Sequence, residues 1–211
     1  MRLTIGIWSA VGAALLGCAA APAHGEGTAA RDIERVLRKS FSGVTPDDWN
    51  ARVKQDATQA ACSRYRNQPP PKVAEKIAAS ARSDLRYPGD GVLIGDWKAG
   101  EQLAQIGTGG QISKLNPEAP EAPRGGNCYA CHTMAPEEVA AGTLGPSLKR
   151  YGKLKGTSSE AARTLYQKIY NAQAFVPCSV MPRFGHNGWL TPKQIADVVA
   201  YLLDPESPVN K

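Results

Sequence analysis

Hydrophobic residues recur at helical spacing along most of the chain, and no region is rich in strand-like alternation. Near the N-terminus the spacing is set by Ile33, Val36 and Leu37, and near the C-terminus by Ile195, Val198, Val199 and Leu202. The pattern predicts an all-α protein. The predicted helices cover residues 29–41, 46–62, 72–85, 96–106 and 158–173, and the segment between Thr191-Pro192 and Asp204-Pro205.

Proline and glycine divide these helices into two regions. Pro69-Pro70-Pro71 is a stiff break inside the first region, and the turn Tyr87-Pro88-Gly89-Asp90-Gly91 follows it. We place the domain boundary at this turn. Residues 24–89 are then an N-terminal helical extension. Residues 90–211 form a second domain, whose first helix is followed by a loop rich in Gly, Pro and Glu, residues 107–126.

The first residues have the pattern of an export signal. Arg2 is the lone charge, and the apolar run Leu3–Leu16 is too short to span a bilayer. Ala21-Pro22-Ala23 offers an A-x-A cleavage site, which predicts a signal peptide over residues 1–23 and a periplasmic protein. The alternative is a lipoprotein signal, because Leu15-Leu16-Gly17-Cys18 resembles a lipobox that would anchor the chain through Cys18.

Composition and charge narrow the class of partner. Hydrophobic residues make up 42% of the chain and charged residues 21%, as in ordinary globular proteins, and the formal net charge is +6. There is no basic run of the kind that binds nucleic acid, and no later segment is long and apolar enough to be transmembrane. A modest positive surplus instead favours docking to an acidic protein partner.

The most specific motif is Cys128-Tyr129-Ala130-Cys131-His132. This C-x-x-C-H spacing is the one at which two thiols attach a haem covalently and the adjacent imidazole binds its iron. A thioredoxin-like C-x-x-C should follow a strand, and Gly125-Gly126-Asn127 does not have the pattern of one. A zinc site needs a second ligand pair, which the remaining Cys and His residues do not supply at ribbon or finger spacing. The motif therefore predicts one covalently bound haem c.

An iron held by His132 needs a second axial ligand or has an open position. Met181 lies in an irregular segment just before the last helix, where it could cover the far face of the ring, and thioether ligation raises the reduction potential. The alternatives are that Met181 fills a gap in the core, or that His186 is the ligand. Met1 is in the signal, and Met134 is too close to His132 to reach the opposite face.

Gly145-Pro146 is predicted to support His132 from behind. Pro146 has no amide donor, so its own or the preceding carbonyl can accept from the His132 ring and fix the tautomer, although a plain turn would have the same sequence. Arg183 is interpreted either as a partner of a haem propionate or as a solvated surface residue. Phe184 and Trp189 are assigned to core or haem packing.

Cysteine counting gives one more prediction. Cys18 leaves with the signal or is acylated, and Cys128 and Cys131 are assigned to the haem. An even pair then remains in an oxidising compartment, so we predict a Cys62–Cys178 disulfide. The alternative is two separate thiols.

Four stretches in the second domain, taken together, resemble the SoxX family, the monohaem c-type cytochrome subunits of the SoxAX complex of thiosulfate oxidation. They occur in the expected order and are Gly95–Glu101, Gly125–His132, Gly142–Leu148 and Met181–Gly185. The resemblance implies a class I cytochrome c fold over residues 90–211. It also implies His132 and Met181 as axial ligands and Cys128 and Cys131 as attachment points.

The resemblance further implies a place in an enzyme complex. A SoxA-type cytochrome partner joins thiosulfate to a cysteine of the SoxYZ carrier, and the SoxX subunit passes the released electrons to a small cytochrome c. The chain would then be the non-catalytic, electron-transfer subunit of a heterodimeric L-cysteine S-thiosulfotransferase, with no catalytic residue of its own. Two alternatives stay open, a free-standing cytochrome c shuttle and an enzyme or gas sensor with an open iron. The extension of residues 24–89 departs from the compact members of the family.

Overall fold

The computed structural model describes residues 26–41, 44–108 and 124–211, and the regular elements in these ranges are all helical. The predicted all-α class is therefore confirmed for this part of the chain. The predicted signal peptide, Cys18 and most of the loop at 107–126 lie outside the described residues. The chain divides into two compact units, residues 1–42 and residues 43–211.

The first unit is described through one helix, α1, Glu26–Ser40. Two ion pairs run along it, Arg35 to Asp32 at 2.8 Å and Arg38 to Glu34 at 2.7 Å. Pairs at this spacing each stabilise a helix by about 0.3–0.5 kcal/mol.

The second unit begins with a helical segment that is broken where the sequence pattern predicts continuity. Helix α2, Pro46–Asp48, runs into a π-helical turn, Trp49–Val53, and α3 starts afresh at Ala57–Arg64. The prediction of one helix over 46–62 is wrong, because Asp56 is extended and caps α3. Its side chain accepts from the Gln59 amide at 2.8 Å, and the Gln59 side chain accepts from the Asp56 amide at 2.9 Å.

Helix α4, Pro71–Ser83, confirms the predicted third helix and has proline at its first position. Ile77, Ala78 and Ala81 are buried on one face. This helix packs against the short 3₁₀ turn Ala172–Ala174, and Arg82 donates to the Ala174 carbonyl at 3.0 Å. The predicted extension therefore contacts the second domain through residues of unit 43–211, while the boundary at residue 90 stays a prediction.

The described residues in the C-terminal part of the unit contain four α-helices: α5, Trp97–Gln105; α6, Tyr151–Lys155; α7, Ser159–Tyr170; and α8, Pro192–Leu203. A 3₁₀ turn at Pro208–Asn210 follows α8. The predicted caps are confirmed for α5 and α8, where Asp96 accepts from the Lys98 amide and Thr191 from the Gln194 amide. Helix α6 was not predicted, since five residues are too few to show a periodic pattern.

Helices α5 and α8 cross at backbone contact. A Cβ on Gly100 would lie 2.0 Å from the Asp197 carbonyl oxygen, so only glycine fits at this crossing. Asp197 is buried, and its side chain accepts from the Asp96 amide at 2.9 Å and from Lys193 at 3.2 Å. The predicted apolar face of α8, including Ile195, is buried in the main core. The close crossing fixes the position of α5 relative to α8, and the loops that carry the site lie between these two helices in the chain.

The main core lies among α5, α7 and α8, and a smaller buried cluster of Cys62, Ile77 and Cys178 joins α3 and α4 to the segment after α7. In the described part of the chain, none of the helices combines the length and the apolar character needed to cross a bilayer.

Candidate functional site

The C-x-x-C-H motif lies in a tight loop, here called the attachment loop (residues 125–132). Asn127 has a left-handed backbone with φ 45°, and a 3₁₀ turn, Cys128–Ala130, follows it. The Cys128 carbonyl accepts from the amides of Cys131 at 3.1 Å and His132 at 2.9 Å. These bonds hold both thiols and the imidazole within one turn of backbone, as attachment to a single porphyrin requires.

Cys128 and Cys131 are the free thiols of the described residues, and both are partly buried. Burial raises the pKa of Cys128 to about 12, and the neighbouring Cys131 adds to the shift, so this thiol is protonated at neutral pH. No group of three or more His, Cys, Asp or Glu side chains within ranges 26–41, 44–108 and 124–211 is arranged to hold a metal ion. The zinc alternative therefore has no ligand set among those residues.

His132 is held from behind by the proximal segment (residues 142–148). Its Nδ1 lies 2.7 Å from the Pro146 carbonyl oxygen. Because a carbonyl can only accept, Nδ1 carries the proton, and the lone pair of Nε2 is left for another partner. The structure thus places Pro146, and its own carbonyl in particular, where the sequence predicts support for His132.

The proximal segment is fixed to the attachment loop by backbone hydrogen bonds. The Gly145 amide donates to the Cys131 carbonyl at 2.8 Å. The Leu148 amide donates to the carbonyl of Thr133, the residue directly after the loop, at 2.8 Å. A Cβ on Gly145 would lie 2.3 to 2.8 Å from three atoms of the His132 ring. Residue 145 therefore has to be glycine for the imidazole and the Pro146 carbonyl to meet.

Met181 lies in the Met181 loop (residues 175–189), where its partly buried side chain packs against the main core. Its amide donates to the Ser179 hydroxyl at 3.2 Å. Trp189 ties this loop to the attachment loop, since its indole N–H donates to the Gly125 carbonyl at 2.7 Å. Met134, by contrast, is fully buried in the core. The thioether of Met181 and the attachment loop thus border the same core.

His186, the alternative ligand, is engaged elsewhere. Its Nδ1 lies 2.6 Å from Asp84 Oδ2, and its Nε2 lies 3.7 Å from Asp56 Oδ2. Arg183 is also not a solvated surface residue, because it is only 8% exposed and donates to Asp56 Oδ2 at 2.7 Å. These four side chains, Asp56, Asp84, Arg183 and His186, are named here the charged cluster.

The Cys62–Cys178 disulfide is present, with the two Cα atoms 5.4 Å apart, and that prediction is confirmed. It joins α3 to the Met181 loop. Phe184 is buried in the main core and Trp189 is partly buried against it, in line with their assignment to packing.

Sequence reasoning missed the charged cluster as a unit. Asp56 and Asp84 lie more than one hundred residues before their partners in the chain. The local signal was Asp56-x-x-Gln59, a capping box that marks a helix start and was overlooked inside a longer apolar pattern. No local signal links either carboxylate to the Met181 loop.

The family described as Cytochrome c matches residues 121–204. A protein of Aquifex aeolicus (strain VF5), described as an uncharacterized lipoprotein, is 43% identical over 166 residues, which cover 76% of this chain and 75% of that protein. Cytochrome c6 of Limnospira maxima is 38% identical over 80 residues, 37% of this chain and 80% of that protein. The share of this chain matched by the Aquifex protein exceeds residues 90–211, so the similarity includes part of the predicted extension.

Proposed function

Because this chain belongs to the family of the Aquifex aeolicus lipoprotein and carries a cytochrome c domain, which implies covalently bound haem c and electron transfer, we propose that it is a periplasmic one-haem electron carrier. The fold of the domain is that of a class I cytochrome c. The absence of strands from the described ranges agrees with this fold.

The residues of the site fit the cofactor. Cys128 and Cys131 would hold the porphyrin through thioethers, with His132 and Met181 as the two axial ligands. When bound, haem c supplies an iron centre that gains and loses one electron. Partly buried side chains with apolar surface border the main core at this site, and they are Cys128, Leu148, Tyr151, Met181 and Trp189.

His132 and Pro146 set the electronic character of the proximal ligand. The Pro146 carbonyl accepts the Nδ1–H hydrogen bond, which raises the electron density of the His132 ring. Nε2 thereby becomes a stronger electron-pair donor to a metal. On the other side, a thioether ligand favours the reduced state and raises the reduction potential. His186 would lower the potential as a ligand, but its ring is held between Asp84 and Asp56.

The observation that carries the proposal is the hydrogen bond between His132 of the C-x-x-C-H turn and the Pro146 carbonyl, because it orients the imidazole through Nδ1 and leaves Nε2 for another partner. The test is to purify the full chain after expression with haem-attachment machinery. We expect one haem per chain, bound to the peptide that contains Cys128–His132. Its absorption spectrum should be low-spin and should not change when carbon monoxide is added. M181A should remove the second protein ligand of the haem iron and so open its sixth coordination position. A chain without covalent haem would contradict the proposal.

We infer further that the electrons come from thiosulfate oxidation. The support is the resemblance of four motifs, in order, to the SoxX family, in which a SoxA-type partner joins thiosulfate to the SoxYZ carrier. The chain would then be the electron-transfer subunit of that complex and would pass electrons to a small cytochrome c.

A free-standing carrier is the second candidate, favoured by the similarity to Limnospira cytochrome c6. Isolation of the native protein under gentle conditions separates the two. A larger c-type cytochrome that co-purifies at one-to-one, with haem reduction that depends on thiosulfate and the carrier protein, is expected for the complex. A monomeric one-haem chain that is reduced without either would support the shuttle.

A further inference from the structure

The charged cluster joins the residues next to α3 and α4 to the part of the Met181 loop that follows Met181 in the chain, whereas the disulfide joins α3 to the part that precedes it. Asp56 precedes α3 and Asp84 follows α4, while Arg183 and His186 lie two and five residues after Met181. Cys178, three residues before Met181, is bonded to Cys62 of α3. The loop is therefore fastened on both sides of Met181, to α3 by the disulfide before it and to the residues next to α3 and α4 by the charged cluster after it.

The bond between Asp56 and Arg183 differs from an ordinary surface ion pair. Arg183 is 8% exposed, so its guanidinium has lost most of its water and needs a charged acceptor. Burial raises the pKa of Asp56, but the Gln59 amide hydrogen bond, the hydrogen bond and charge of Arg183 and the charge of His186 together lower it below its usual value. Asp56 is therefore ionised at neutral pH.

The second hydrogen-bonded pair of the charged cluster is Asp84 with His186. Asp84 Oδ2 lies 2.6 Å from His186 Nδ1, and both side chains are about two-thirds buried. Arg86 also lies at this place and donates to the carbonyls of Asp84 and Leu85 at 3.3 Å. Together with Asn171 and Gln173, these groups line a polar cleft between α4 and the Met181 loop.

We propose that Asp56 and Asp84 are positioning residues, which act through Arg183 and His186 to hold the Met181 loop with its thioether presented to the haem site. This inference rests on the proposed function only in taking Met181 as the iron ligand. The disulfide fixes the loop before Met181, and Trp189 fixes its far end. The charged cluster adds attachment points at Arg183 and His186, between Met181 and Trp189, so less ordering is left for the ligand bond to impose.

The structure supplies conservative variants for the test. D56N removes the charge that Arg183 needs but keeps a good N-cap, since asparagine caps as well as aspartate. D84N removes the charge beside His186. E75Q is the matched control, because Glu75 is exposed on α4 and its loss changes the net charge by the same amount.

Two readouts are made on the haem-loaded full chain. The first is the affinity of the ferric protein for imidazole, which competes with Met181, together with the red charge-transfer absorption of a thioether–iron bond. The second is amide hydrogen exchange in residues 178–186. We expect D56N and D84N each to bind imidazole about fivefold more tightly, because the open loop is more populated. Exchange in the loop should also be faster, with E75Q like the wild type.

Each failure has its own signature. If M181A leaves the ferric spectrum unchanged, Met181 is not the ligand, and hydrogen exchange alone then decides the positioning role. If D56N and D84N keep wild-type exchange and wild-type imidazole affinity, the positioning role is overturned whatever the ligand. A lower melting temperature with neither change would assign the cluster to general stability and overturn it too. Should D56N fail to accumulate, H186A tests the Asp84–His186 pair in the same assays.

Discussion

The two parts of the proposed haem site are held by different kinds of contact, and they are called here the proximal side (His132 with residues 142–148) and the distal side (the Met181 loop). On the proximal side, the Pro146 carbonyl and backbone bonds to Cys131 and Thr133 come from residues 142–148, close in sequence to the motif that they support. On the distal side, Met181 is flanked by a disulfide and two side-chain pairs whose partners lie 102 to 127 residues away. The proximal side is thus a local structure, and the distal side depends on helices α3 and α4 and the residues next to them.

Removing the disulfide should have the largest effect, and it acts on the distal side alone. Replacing both cysteines in C62A/C178A frees two positions 116 residues apart and should lower the free energy of unfolding by about 4 kcal/mol. Chemical denaturation of the full chain measures this. Hydrogen exchange should rise in the Met181 loop and stay unchanged in the attachment loop. Equal changes in both loops would show that the two sides are not supported separately.

Adding one methyl group should break the proximal side. In G145A the new Cβ would overlap the His132 ring, so we expect a loss of about 3 kcal/mol in the free energy of unfolding. The reduction potential should rise as the Pro146 bond opens, because His132 then becomes a weaker donor and stabilises ferric iron less. G89A is the control, because a Cβ there meets no atom within 4 Å. Denaturation and a redox titration measure the two effects. A G145A protein with the potential and stability of G89A would contradict the role assigned to Pro146.

Neutralising Asp56 should have a smaller effect than either change. D56N leaves the largely buried Arg183 without a charged partner, and because Asp56 itself is partly exposed we expect a loss of about 1–2 kcal/mol. R183M should cost a similar amount. The double variant should cost less than the sum of the two, and denaturation of all four proteins measures this coupling. Strict additivity would mean that the pair contributes no coupling energy.

Lowering the pH should gradually remove the contribution of Asp56 to the free energy of unfolding. The pKa of Asp56 is lower in the folded chain than its unfolded value of 3.8, so its stabilising effect is complete above that value. The effect is lost as the pH falls below 3.8 and through the folded pKa. Stability curves of wild type and D56N should therefore converge in this acid range. A constant difference between the two curves down to the lowest pH would exclude Asp56 as the source.

The contrast between the two sides also explains what the sequence could and could not predict. The attachment motif, Gly145-Pro146 and the caps at Asp96 and Thr191 are local patterns, and the structure shows the hydrogen bonds expected of Pro146 and of both caps. The disulfide followed from cysteine counting in a chain predicted to be exported. Such features need no knowledge of which distant segments meet.

The rest depended on tertiary contact. The break at Asp56 was hidden because an apolar period continues across it, and the cap outweighed that period. The sequence suggests a haem propionate or solvent as the partner of Arg183 and suggests His186 as an alternative ligand. Their carboxylate partners, Asp56 and Asp84, lie more than one hundred residues earlier in the chain. Pairing over such distances is decided by the packing of α3 and α4, which no local pattern encodes.

The position of the disulfide also sets a problem of timing during maturation. In the proposed export route, Cys62 emerges first and meets Cys128 and Cys131 before its native partner Cys178 has been made. Four thiols allow three complete pairings, and each of them consumes the cysteines meant for haem, since the pairing that contains Cys62–Cys178 also joins Cys128 to Cys131. The cell therefore has to keep these thiols reduced, or their bonds reversible, until haem is attached and Cys178 has been exported. Haem attachment and disulfide formation thus compete for the same sulfur atoms.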